Sequence, residues 1–137
     1  MEKSKFKIIL IGIIFDPKKR EILIGKDKGD LKYTFLDCEL NYNEELDLCL
    51  KRVTKEKTGY KIHNLGTVYA RNKILGKDDV LELYFLCEAT EGKEKPGKEV
   101  KELKWINPCN AEKIMQVKFP SRLKEYIDGL GLACPTN

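Results

Sequence analysis

The residues that could bind or transform a ligand fall in a few places. Arg52, Glu56 and Lys57 lie close together in one charged segment. A lone carboxylate such as Glu56 is a poor metal site, because hard divalent cations take several oxygen ligands. Lys57 has Val53 and Thr54 on the preceding helical turn, so no carboxylate there can pair with it. A solvated lysine is the plain expectation, and an ammonium that neutralises Glu56 or a ligand phosphate is the sharper one. Cys38 has no neighbouring histidine to activate it and reads as a filler residue. His63, the single histidine, reads as a surface or hydrogen-bonded structural residue. Tyr69, Arg71, Tyr84 and Phe119 are candidates for stacking a base or gripping a phosphate, although alternation along strands assigns at least half of them to core or surface. The lysine-rich stretches 26–32 and 93–104 carry interleaved acids. They read as solvated faces, not as a track for a nucleic-acid backbone.

These residues need elements to position them. Residues 43–58 form the clearest helix, because Leu46, Cys49, Leu50 and Val53 fall at i, i+3, i+4 and i+7 in one apolar stripe. Asn43 is placed to cap its start, Glu44 and Glu45 suit its positive end, and Gly59 can close it. The isoleucine-rich run 6–15 predicts a buried strand, Asp16-Pro17-Lys18-Lys19 a turn, and 21–25 the hairpin partner. Residues 32–36 read as a further short strand. Strands are expected at 64–70 and 80–89 with a loop over 72–79 between them, and 91–97 reads as a second loop. Residues 100–106 fit a strand, Asn107-Pro108 opens a short helix, and 121–130 forms another. A frayed tail is expected from Gly131.

The segment from Phe35 to Tyr60 resembles a Nudix box, whose pattern is G-x5-E-x7-R-E-U-x-E-E-x-G-U with U a bulky aliphatic residue. Glu44 takes the first Glu, Arg52 the Arg, Glu56 the first Glu of the final pair, and Thr58-Gly59-Tyr60 the closing segment. Residues 6–26 resemble the family's first hairpin and 99–106 its late strand ending in Trp, so the likeness covers nearly the whole chain. It implies one α/β domain over 1–137, a mixed β-sheet sandwiched between helices. It also implies a relation to pyrophosphohydrolases of nucleoside diphosphates linked to another group, with Mg²⁺ or Mn²⁺ held by helix carboxylates to bind the pyrophosphate and activate water.

The pattern breaks where that metal would sit. Val53 replaces the Glu after the Arg, Lys57 the second Glu of the final pair, and Cys38 the opening Gly; Leu36-Asp37-Cys38 replaces the usual Pro-Gly-Gly, and Asn41 and Asn43 further departures. Val53 extends the apolar stripe. An ammonium at position 57 repels an incoming cation, and one lost acid–base group costs about 10²–10⁴-fold in rate. Weak or absent hydrolysis is therefore expected, with nucleotide binding kept. By resemblance Glu56 and Arg52 are the catalytic positions. Lys57, Arg71 and Tyr69 are the substrate-binding candidates, and Glu56 with Asp37 or Glu39 is the metal candidate. Two alternatives stand beside this reading. One is an active, rewired hydrolase drawing on Asp37, Glu39, Glu99 or Glu102; the other is a non-catalytic module that binds protein or RNA.

Composition bounds these readings. The chain has 137 residues, 42% hydrophobic and 35% charged, enough for one core inside a charged shell. With 26 Lys and Arg against 22 Asp and Glu, the net charge of +4 demands neither a nucleic-acid nor a membrane partner. No apolar run is long enough to span a bilayer. The lysines of residues 1–7 followed by an apolar run faintly mimic a secretory signal, but no small-x-small site follows. Cys38, Cys49, Cys87, Cys109 and Cys134 are odd in number and none are close in sequence, so neither a disulfide framework nor a zinc site is signalled. Reduced thiols in a cytoplasmic protein are the default expectation. The sequence carries no signal for oligomeric state.

Overall fold

The computed structural model describes residues 6–132 and 134. Its centre is β1 (Phe6–Asp16), whose FKIILIGIIFD sequence has apolar side chains on both faces. A strand of that kind must be covered on both sides. It pairs in parallel with β5 (Asp78–Gly92) over its whole length. On its other edge it pairs antiparallel with β3 (Leu36–Glu39) and, further along, with β2 (Glu21–Asp27). The strand β4 (Tyr60–Leu75) borders β5 and β6 (Val100–Ile106) borders β2, giving a mixed sheet in the order β4-β5-β1-β2-β6 with β3 attached to β1.

Alternation along β1 feeds two cores. Leu10 and Ile14 point to the face covered by α1 (Leu46–Thr58), where they join Leu23, Leu36, Cys49, Leu50 and Phe85. Ile11 and Ile13 point to the opposite face, packed under α2 (Ala111–Met115) and α3 (Ser121–Leu130) with Ile22, Phe35, Tyr84, Phe119, Leu123 and Ile127. The α/β architecture expected from the sequence, a mixed sheet between helices, is the one observed. The stripe on α1 behaves as read: Cys49 and Leu50 are buried, and Leu46 and Val53 pack against the same core. Burying a leucine of this kind contributes about 1.5–3 kcal/mol.

Several expectations are corrected. The helix begins at Leu46, not at Asn43. Residues 41–44 form a turn instead, with the Glu44 N–H donating to the Asn41 carbonyl and the Asn43 N–H to the Asn41 side chain, so Asn43 caps nothing. The loop expected over 72–79 is a hairpin of two long strands that turns at Gly76-Lys77. The strand expected at 32–36 lies later, at Leu36–Glu39, with one isolated bridge from Thr34 to Gly25. Cys109 and Cys134 form a disulfide, so only Cys38, Cys49 and Cys87 are free thiols. Spacing alone cannot reveal such a pairing across 25 residues. Of the tail expected from Gly131, Cys134 is tied to Cys109, and residues 133 and 135–137 lie outside those described. Residues 1–5, the start of the signal-like stretch, lie outside them too. No described helix is long and apolar enough to cross a membrane.

Candidate functional site

The last turn of α1 is fixed from below and from the side. Gly59 ends it at φ +82° with its N–H donating to the Lys55 carbonyl, as the glycine in that place predicts. The carbonyls of Lys57 and Thr58 then accept from the N–H groups of Gly97 and Lys95, at 2.9 and 2.8 Å. The 93–97 loop approaches so closely that a Cβ at Gly59 would meet the Lys93 carbonyl and one at Gly97 the Glu56 carbonyl. A helix end with its carbonyls answered in this way is held in place, and it carries Glu56 and Lys57, with Arg52 one turn before them.

Those three residues point to two different surroundings. Arg52 faces outward. Its Nε and Nη2 donate to the Glu44 carboxylate at 3.0 and 2.9 Å, and its Nη1 donates to Glu56 at 3.1 Å. These bonds hold the Glu44 carboxyl below its ordinary range, and the two carboxylates keep the guanidinium protonated. Lys57 faces inward. Its ammonium donates to the Asp37 carbonyl at 2.6 Å and lies 3.6 Å from the Asp37 carboxylate. Burial pushes the Asp37 carboxyl up, and Lys57 draws it back only in part. Lys57 is therefore neither a solvated lysine nor a partner of Glu56: it bridges α1 to β3.

Beyond Asp37 opens a cleft of about 180 Å³ between β3, β5 and the 115–119 segment. Its floor is aromatic, with Phe35 and Phe119 stacked at 5.6 Å and Tyr84 edge-on to Phe35 at 6.2 Å. Tyr84 and Phe119, read as stacking candidates, are buried in this floor. Its wall carries Arg71 and Glu82. Arg71 Nε donates to Glu82 at 2.6 Å, Lys73 lies 3.1 Å from the other carboxylate oxygen, and the Tyr84 hydroxyl donates at 3.3 Å. Burial would raise the Glu82 carboxyl, but Arg71 and Lys73 outweigh it and hold the group below its usual range. Burial likewise pushes the Tyr84 hydroxyl up to about 12. Lys118 stands exposed at the rim.

The other sequence candidates are dispersed. Tyr69 packs edge-on to Tyr84 at 5.5 Å and lines a shallow groove beside Ser121 and Tyr126, outside the cleft. Glu39 is exposed and, among the described residues, its side chain pairs with Lys7 at 3.9 Å. Glu102 lies on β6 beside Lys26 at 3.8 Å, and His63 is an exposed residue of β4. Cys38, half-buried beside Cys49, has its thiol pushed up to about 12 by burial, which disfavours the thiolate a nucleophile needs. Sequence reasoning missed Glu82, Lys73 and Lys118. A cue for Glu82 was present: it is a lone acid inside the apolar run 80–86.

These donors do not fit a divalent cation. Such an ion takes several oxygens, with carboxylates converging on it. On α1 the inward position is an ammonium already bonded to a carbonyl, Val53 packs in the core, and Glu56 is turned outward to Arg52. Among the described residues no group of three or more His, Cys, Asp or Glu gathers as a metal cage. The charged residues that line the cleft balance, Arg71 and Lys118 against Asp37 and Glu82, and Lys57 and Lys73 reach those two carboxylates from outside the lining.

The architecture is that of the Nudix fold. A Nudix hydrolase from Nitrosomonas europaea superposes with a TM-score of 0.75 at 13% identity, covering 93% of this chain and 92% of that one. A MutT protein from Methanosarcina mazei Go1 gives 0.70 at 18% identity, covering 95% and 96%. A UDP-X diphosphatase gives 0.72 at 13% identity, covering 95% of this chain and 63% of that one. At these identities the likeness is one of fold. No family model matches the sequence, and no curated protein does.

Proposed function

We propose that this protein is a nucleotide-binding member of the Nudix fold that holds phosphate with side-chain cations, and that it hydrolyses its ligand weakly or not at all. The observation that carries this reading is Lys57. Its ammonium, fixed at 2.6 Å on the Asp37 carbonyl, stands on the helix turn where the box pattern asks for a carboxylate. An ammonium in that place attracts phosphate and repels Mg²⁺. Arg71 and Lys118 extend the positive surface, and Phe35 and Phe119 offer ring surface beside it. A space of about 180 Å³ takes one ring or one phosphate group, the remainder of the ligand lying outside. The likeness to a protein named as a UDP-X diphosphatase supports a nucleoside diphosphate derivative as the ligand class.

The test is phosphate release across a panel of nucleoside diphosphate derivatives with Mg²⁺ and Mn²⁺, beside Glu56→Gln. The expected result is no turnover above the variant. Metal-dependent turnover that the variant abolishes would show a rewired active site and overturn the reading.

A further inference from the structure

A second cavity, of about 530 Å³, lies at the far end of β1 and shares no residue with the cleft. It is bounded by the β1–β2 turn, the start of β4, the end of β5 and β6. Phe15, Lys18, Lys19, Tyr60, Glu88 and Trp105 give it its chemistry. Its volume lies in the range that encloses a small ligand.

Two of its aromatic residues are held in place. The Trp105 Nε1–H donates to Glu94 at 3.0 Å and the Tyr60 hydroxyl donates to the same oxygen at 3.4 Å, with the rings edge to face at 6.0 Å. Their polar edges are thus spent on Glu94, and carbon is what they offer an occupant. A preorganised aromatic pair of this kind receives a planar ring at low entropic cost.

The charges at the rim decide which ring. Asp16 is occupied, accepting from the backbone N–H groups of Lys18 and Lys19 at 2.9 and 3.3 Å and so shaping the turn. That bond presents the two lysines together at the mouth. Neither ammonium, nor the Glu88 carboxylate, has a partner among the described residues. The lining balances in charge, but a cationic ligand such as a methylated amine would meet the two exposed lysines before the half-buried Asp16 and Glu88, so an aromatic cage for cations does not fit. An aromatic ring bearing a phosphate fits every group. Phosphate meets the lysine pair, the ring meets Trp105 and Tyr60, and Glu88 accepts from hydroxyls between them. We infer that this cavity is a second binding site, for a nucleoside monophosphate, independent of the cleft and of the function proposed for it.

Trp105 is the single tryptophan of the chain, so its fluorescence reports this cavity alone. Titration of the intact protein with adenosine or uridine monophosphate, read by Trp105 emission and by calorimetry, should give a saturable response. Adenosine, uridine and inorganic phosphate should each bind about tenfold more weakly, and the Lys18→Ala/Lys19→Ala variant should lose about tenfold. Both lysines are exposed, so that variant keeps its fold. Lys118→Ala, at the rim of the cleft, should leave the Trp105 emission response unchanged, because Trp105 lies outside the cleft. No saturable signal by either method would overturn the inference. So would undiminished binding in the lysine variant, and so would a response lost in Lys118→Ala, which would assign it to the cleft.

Discussion

The two sides of helix α1 obey different rules. On the outer side, Arg52 joins Glu44 and Glu56 in an exposed network, and all three residues match the box pattern. On the inner side, Val53 and Lys57 depart from it, and Lys57 ties the helix to β3 at Asp37. The outward residues answer one another, whereas the inward ones are spent on the core and on β3.

The comparison can be broken or sharpened by substitution. The largest effect is expected where both sides depend on the same support. Gly59→Ala puts a Cβ at φ +82° against the Lys93 carbonyl and should cost about 3 kcal/mol in urea unfolding. Next is Glu82→Gln, which leaves Arg71 and Lys73 without their anion. Because those two side chains are each about a third exposed, the cost should be about 2 kcal/mol, below that of a fully buried pair. Its pH dependence has a definite sign. The Glu82 carboxyl is held below its unfolded value, so its contribution is present above pH ~4.5 and is lost as pH falls through the lowered value. Unfolding at pH 7 and at pH 3 should therefore show a smaller drop for Glu82→Gln than for the parent chain. On the inner side, Lys57→Glu should weaken nucleotide binding about tenfold in the absence of metal, with the fold retained by circular dichroism. On the outer side, Arg52→Ala should move Tm by no more than ~2 °C and leave binding within about twofold, because exposed ion pairs contribute little.

How much of this was legible in the sequence differs by element. The α1 stripe, Gly59, β1 with its hairpin and α3 all follow from periodicity and punctuation, which are local signals. The strands β4 and β5 were both read, but too short, because Asn72 and Lys73 read as loop. Arg71 and Lys73 are polar on a strand because both face Glu82, a partner set by strand register rather than by sequence proximity. The start of α1 was placed too early because Asn41 builds a turn that consumes residues 41–44. In the candidate site, Arg71 lines the cleft and Lys57 bonds to Asp37, which lines it too. Their partners Asp37 and Glu82 come from other strands, and that pairing exists only once the sheet has formed. Tyr69 was indistinguishable in sequence from a cleft residue. Its side chain packs on Tyr84 instead. The Cys109–Cys134 bridge had no local signature at all.

The most direct test of a cation-held phosphate site is calorimetric titration of a nucleoside diphosphate derivative into the protein, once with EDTA and once with excess Mg²⁺. Saturable binding in EDTA, with an affinity that Mg²⁺ changes by less than about threefold, is the predicted result. Binding that appears only when Mg²⁺ is present would contradict the account, because Lys57 would then not stand in for the metal.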